Sequence, residues 1–286
     1  MKTPMWKYSI LSALRRYLSL EYLPIEVVRQ FDRSFQVLKG SIRLTDKDDA
    51  WSLALALRAK IVFDVGSNIG QNALSNLNAA GIQRYVLFEP NPLALAKAAW
   101  NLIHCGMCQK ATFFCAFIGD QAEGETLLYT VESGAAGSMF PQAAKTASLR
   151  NSHMVVPSTT LDRACKTLEL VPDYVKIDTE GAESLVLSGF VETAKISKIR
   201  ILVEMHSHEN LTMRDNAQSI LNWCQLTNYR AWYLKNHEPL EQADLIAKRG
   251  RCHLLLQPAS EEYPGFLKAI PECGSVAEVW QRRNES

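Results

Sequence analysis

The chain is poor in the features that would place it outside ordinary globular chemistry. No apolar run reaches the ~18 residues that a membrane-spanning helix needs, and neither an internal repeat nor a low-complexity tract is present. Its net charge is only +1 over 286 residues. No strong field gathers nucleic acid or acidic partners, so no nucleic-acid partner is expected. The seven cysteines are odd in number and scattered, which suggests a reducing, cytoplasmic compartment rather than a disulfide framework. Cys105 and Cys108 form one C-x-x-C, but no second pair follows at zinc spacing, so both read as structural thiols. The short apolar stretch after Lys2 and Lys7 is broken by Arg15 and Arg16, and no small-residue cleavage site follows. A signal peptide is therefore not expected. The G-x-G-x-x-G of dinucleotide-binding turns is also missing.

What is present organises itself around Ile61–Gly70. Ile-Val-Phe-Asp-Val is a continuous apolar run ending in one acid, the mark of a strand buried on both faces. Gly66 and Gly70 follow, and then a helical pattern. Strand, glycine turn and helix form the first half of a nucleotide-type α/β unit. The frame is D-x-G-x-x-x-G, and Asp64 would repel a pyrophosphate. It suits a ligand carrying a cationic amine and no phosphate, a description that S-adenosylmethionine meets. A second buried run, Tyr85–Phe88, ends in Glu89 about 20 residues after Gly70, where a carboxylate binds ribose hydroxyls.

The rest of the chain extends this pattern. Residues 1–50 read as a helical extension. Trp6, Ile10, Leu11, Leu14 and Leu18 form one apolar face among basic residues. That face suits packing on the domain or on a second subunit, with peripheral membrane contact as the alternative. A second helix is expected from Pro24 to Gly40, with Ile25, Val28, Phe31 and Phe35 on one side. Residues 51–258 form the main α/β domain and 259–286 a tail. A third strand is expected over 111–118, with Asp120 at its end facing either an adenine or a turn. An extra strand is expected over Glu125–Val131. Residues 132–153 read as a long loop, with Ser133, Ser138 and Met139 placed either to face a ligand or to stand in solvent. The fourth strand ends in Asp178-Thr179-Glu180, and the fifth, Ile199–Val203, in Glu204-Met205-His206. Ligands bind at the carboxyl ends of parallel strands, so these acids and imidazoles belong beside the ligand's reactive end.

The motifs VFDVGSNIGQ, FEPNP, VPSTTLD, VKIDTEGAE and ILVEMH, in this order, resemble the FkbM family of S-adenosylmethionine-dependent methyltransferases over roughly residues 55–258. The resemblance implies a class I methyltransferase (Rossmann-like) fold: a seven-stranded, mostly parallel sheet with helices on both faces. It also implies O-methylation of a small molecule or of a glycan or glycolipid sugar. Carried over, Asp64, Gly66, Asn68 and Gly70 make the methionine and turn contacts, Glu89 holds the ribose and Asp120 the adenine. Asp178, Thr179 and Glu180 line the transfer site. His104 and Cys105 depart from the family pattern, which bears on the packing of that helix end. The base is either Asp178 or His206. A divalent cation on Asp178, Glu180 and Glu204 is a secondary variant. Base-amine methylation is disfavoured, because Asp-Thr-Glu-Gly replaces the Asn/Asp-Pro-Pro-aromatic motif. The rival from another class is a non-catalytic adaptor that keeps the fold.

Overall fold

The computed structural model describes residues 24–31, 33–41, 48–131 and 137–284. The chain order begins with a hairpin, β1 (Ile25–Gln30) and β2 (Arg33–Leu38), then α1 (Asp49–Ala56), β3 (Ile61–Val65), α2 (Gln71–Asn76), β4 (Arg84–Phe88) and α3 (Pro92–His104). Next come β5 (Ala111–Phe114), β6 (Phe117–Ile118), β7 (Gly124–Tyr129), α4 (Lys145–Leu149), β8 (His153–Thr159), α5 (Leu161–Leu168) and β9 (Tyr174–Ile177). The last part holds α6 (Glu183–Ser188), α7 (Glu192–Ile196), β10 (Arg200–His206), α8 (Met213–Thr227), β11 (Tyr229–Tyr233), β12 (Glu238–Pro239), β13 (Arg251–Pro258) and α9 (Val276–Gln281).

The main sheet has eight strands in the order β12-β11-β13-β10-β9-β3-β4-β5. Contacts among β10, β9, β3, β4 and β5 are parallel. Those of β13 with β10 and β11, and of β11 with β12, are antiparallel. The expected count of seven is exceeded because the two-residue β12 pairs at the edge. Strands β4 and β9 flank β3, so the chain winds outward in both directions from it. The cleft at the carboxyl end of β3 is the topological switch point, where such sheets bind ligands.

Period-2 alternation in the central strands feeds two cores. Val62 of β3 and Leu87 of β4 pack beneath α1, α2 and α3, together with Tyr263, Leu267 and Ile270 of the C-terminal segment. Phe63, Val65, Val86 and Phe88 pack on the other face beneath α5, α6, α7 and α8. The start of α3, near the switch point, is well capped. The Asn91 side chain caps α3 by accepting from the Leu93 and Ala94 amides, and Pro92 opens its first turn. At the far end His104 stacks on Trp100 with ring centroids 3.6 Å apart, and Cys105 is buried. The packing there is thus settled locally.

Two expectations fail. Residues 25–38 are an antiparallel hairpin, not a helix. Ile25, Val27 and Val28 are β-branched, and Phe35 and Val37 are buried at period 2, so the extended pattern overrides the i, i+3 spacing. The hairpin turns at Phe31, which adopts a left-handed φ of 54°. The predicted third strand over 111–118 is broken at Cys115-Ala116. Its second part, β6, leaves the main sheet and joins a small sheet in the order β6-β8-β7. The helix expected over residues 1–20, and Ser133, lie outside the described residues. Among the described residues no helix is long and apolar enough to cross a membrane.

Candidate functional site at the carboxyl end of the sheet

The turn after β3 is held by its own backbone. The Gly66 and Ser67 amides both donate to Phe88 O, at 2.9 and 3.1 Å. Gly66 has φ 85°, and a Cβ there would lie 1.8 Å from the carbonyl oxygen of Asp178. Only glycine lets β3 and the β9 loop approach this closely. Gly70, at φ 81°, lets the start of α2 pack against Ala98 of α3.

Beyond this turn lies an open cleft whose empty space, the solvent at its mouth included, is about 780 Å³. Its floor is Gly66, Ser67 and Asn68, and Gln71 and Asn72 of α2 add polar groups. Phe88, Ala116, Phe117 and Ile118 form an apolar wall, while Ser138 and Met139 close the top. Glu89 stands at one end, and Asp178, Thr179 and Glu180 at the other. Ser138 Oγ donates to Glu180 O at 3.0 Å, tying the 137–140 segment across the cavity to the β9 loop.

Glu89 is preorganised. Oε2 accepts from the Asn68 amide at 2.9 Å and Oε1 from the Asn91 amide at 2.8 Å. Each oxygen keeps a second lone pair for a ligand hydroxyl. Burial pushes its pKa up to about 7, against the pull of those two backbone bonds.

Asp64 and Asp120 stand apart. Asp64 is fully buried on the far side of β3 and accepts from Tyr85 Oη at 3.0 Å. It is absent from the cavity lining because period-2 alternation sends its side chain beneath α1, while the backbone of Val65 and Gly66 reaches the cleft. Burial raises its pKa to about 6, opposed chiefly by Lys176. Asp120 is exposed and lies outside the cavity. The switch of β6 into the small sheet presents Ala116, Phe117 and Ile118 there in its place.

The far end is a charge cluster. Buried Lys176 reaches Asp178 Oδ2 at 3.0 Å and Asp48 Oδ2 at 3.3 Å. Burial works against ionised Asp178, but Lys176 and then His206 outweigh it and hold its pKa low. Glu180 sits at φ 52°, in the left-handed region, on the turn entering α6. Its pKa is raised, mainly by burial and against the pull of His206. His206 lies behind these two acids, outside the cavity lining. Its Nδ1 is 3.0 Å from Glu183 Oε1. Glu183 is fully buried and also accepts from the Gly181 amide at 2.9 Å and from Asn216 Nδ2 at 3.1 Å. Burial opposes a charge on His206, but the Glu183 bond and the surrounding acids raise its pKa to about 10. Glu204 is buried, with Arg251 Nη1 2.8 Å from its Oε1.

The cluster brings Asp178, Glu180 and His206 together as the sequence suggests. It also contains Lys176, Glu183, Asp48, Arg251 and His253, for which the sequence reading gave no role. Lys176 had a visible signal, a lysine inside a strand buried on both faces. The others are assembled by tertiary contacts that no local pattern reveals.

A family model described as the Methyltransferase FkbM domain matches residues 64–231. No curated protein matches. Among solved structures, the chain is similar to a methyltransferase FkbM from Methylobacillus flagellatus KT, at 14% identity and TM-score 0.44, over 69% of this chain and 43% of that one. It thus spans less than half of that relative's length. It is also similar to an O-methyltransferase from Bacillus cereus in complex with SAH, at 11% identity and TM-score 0.44, over 87% and 89% of the two chains. A third is M. jannaschii TYW2 in complex with AdoMet, at 11% identity and TM-score 0.43, over 81% and 84%. With the family model covering more than half of its length, from the acid of β3 to β11, the chain belongs to the FkbM methyltransferase family.

Proposed function

We propose that this protein is an S-adenosylmethionine-dependent O-methyltransferase acting on a hydroxyl of a small molecule or of a glycan or glycolipid sugar. The carrying observation is the cavity itself, which runs from a preorganised carboxylate, Glu89, to a paired-acid end, Asp178 and Glu180. The residues present fit the cofactor. Glu89 has spare lone pairs for two ribose hydroxyls. Phe117 and Ile118 offer an apolar wall for a base. Ser67 Oγ, buried at the cavity floor, has no hydrogen-bond partner among the described residues.

When bound, the cofactor supplies an activated methyl group on a sulfonium, a good leaving group. The S–CH3 electron pair stays on sulfur, the new O–CH3 bond forms, and the hydroxyl proton must go to a base. The protein's task is to align the acceptor and take that proton. Glu180 is the better base. It lines the cavity, and burial raises its proton affinity. Asp178 also lines the cavity, but Lys176 holds one of its oxygens and lowers its basicity. Its role is to fix the charge at this end. His206 is bonded to Glu183 behind the acids and does not line the cavity, so Glu180 is favoured over it as the base.

The test uses label transfer from methyl-labelled S-adenosylmethionine to fractionated glycolipids and small hydroxylated metabolites. Methyl ethers formed by the wild type and lost in Glu180→Gln support the reading. Label appearing on nitrogen would overturn the O-methyl assignment.

A further inference from the structure

His206, Glu183 and Glu204 form an arrangement that the methyl-transfer reading does not use. The His206 ring is fixed by Glu183 through Nδ1, which leaves Nε2 facing a ring of acids. Nε2 lies 3.6 Å from Glu204 Oε1, 3.7 Å from Glu180 Oε2 and 4.0 Å from Asp178 Oδ1. All three separations exceed hydrogen-bond length. They match the spacing of two ligand atoms that share one ion at about 2.0–2.3 Å each. One ligand atom each from Asp178, Glu204 and His206 fall within 4.8 Å of one another.

Two further observations indicate that this cluster is incomplete as it stands. Glu204 is 2% exposed, and its Oε1, aimed at His206, accepts no hydrogen bond of acceptable geometry, although the Arg251 guanidinium is 2.8 Å away. His253 is also 2% exposed. It faces the other oxygen of Glu204 at 3.6 Å, and neither of its ring nitrogens has a hydrogen-bond partner among the described residues. Charge points the same way. The carboxylates of Asp48, Asp178, Glu180, Glu183 and Glu204 face Lys176 and Arg251 as permanent cations, besides the His206 and His253 imidazoles, within ion-pair distance among the described residues. A buried excess of negative charge is costly unless a cation joins it.

We propose that Asp178, Glu204 and His206 bind a divalent cation, with Glu180 at its edge and Glu183 as the residue that positions His206. The donor set is one imidazole nitrogen with carboxylate oxygens, which suits Mn2+ or Zn2+ better than Ca2+. Glu183 takes the place of the carboxylate that commonly orients a metal-binding histidine. Asp178 borders both the cation and the cavity, and this places positive charge beside the transfer end. There it would favour the developing negative charge of an acceptor oxygen. This functional part rests on the methyltransferase reading, whereas cation binding itself does not.

The experiment is a Mn2+ titration of the full chain followed by electron paramagnetic resonance, with calorimetric titration of S-adenosylhomocysteine on the same preparation. One saturable Mn2+ site is expected. Glu204→Gln should abolish it, and Glu183→Gln should weaken it about 10- to 100-fold. Both variants should retain S-adenosylhomocysteine binding, which shows that they are folded. His206→Gln serves in place of either variant that fails this check, and it should also lose the site. Mn2+ binding that survives Glu204→Gln and His206→Gln would be adventitious surface binding and would overturn the proposal. So would a wild-type chain that takes up neither Mn2+ nor competing Zn2+ yet still binds the homocysteine product, and that result would leave the methyltransferase reading intact. Mn2+ binding without product binding would support the cation site and count against the cofactor assignment.

Discussion

Replacing Glu89 with glutamine separates ligand binding from folding, because the two effects have different sizes. In the wild type, both carboxylate oxygens are already engaged by backbone amides. Burial raises the Glu89 pKa from 4.5 to about 7. A carboxyl group with a raised folded-state pKa favours folding most at low pH. That contribution is fully present below the unfolded value and is lost as pH rises through about 7. At pH 8 the ionised group therefore costs roughly 3 kcal/mol. Glutamine removes that cost, but its single acceptor oxygen leaves either the Asn68 or the Asn91 amide unpaired, at about 1–3 kcal/mol. The two terms nearly cancel, so the melting temperature at pH 8 should move by only a few degrees. Binding has no such offset. Two ribose hydroxyls lose a charged acceptor, and hydrogen bonds to charged groups are worth about 1.5–3 kcal/mol each. A net loss of about 2–3 kcal/mol, after partial replacement by the amide oxygen, is roughly 30- to 150-fold in Kd for S-adenosylhomocysteine. Wild-type affinity should also weaken as pH falls below about 7, while that of the variant should not. The assay is paired calorimetry and thermal melting at pH 6 and pH 8. An unchanged Kd in a folded variant would refute the ribose assignment.

Other perturbations follow from the same geometry. Gly66→Ala puts a Cβ 1.8 Å from Asp178 O at a φ of 85°. A loss of about 3 kcal/mol or more is expected in chemical denaturation. Lys176→Met strands Asp48 and Asp178 without their shared cation. It should cost about 3–5 kcal/mol, and part of that should return on adding Asp48→Asn. Glu180→Gln should slow methyl transfer about 10²- to 10⁴-fold in single-turnover assays, with product affinity within about threefold of wild type.

The sheet and one end of the site were legible in the sequence because they rest on local signals. Ile61–Val65 and Tyr85–Phe88 are apolar runs of strand length, and the glycines after the first mark the turn that packs against Asp178. Glu89 was legible through its spacing alone. The hairpin at 25–38 was not, because Ile25, Val28, Phe31 and Phe35 satisfy a helical period while the same stretch satisfies a strand period. Pairing between β1 and β2 decides between them. The break at Cys115-Ala116 is likewise set by a partner, β8, about forty residues away. Asp120 illustrates the consequence. Its sequence position matches a strand end at the cleft, but the strand has already changed sheets before reaching it. The charge cluster was half legible. Asp178, Glu180, Glu204 and His206 lie at predicted strand ends, whereas Asp48 directly precedes α1, His253 comes from the antiparallel strand β13, and Glu183 is the first residue of α6. Only the fold brings them to one place.

The most direct test of the account is calorimetric titration of the purified protein with S-adenosylhomocysteine, with NAD as the parallel ligand. The account predicts one binding site for the homocysteine product and none for NAD, since Glu89 suits ribose hydroxyls and the turn lacks the G-x-G-x-x-G spacing that cradles a pyrophosphate. A folded protein that binds neither, or that binds NAD alone, would contradict it.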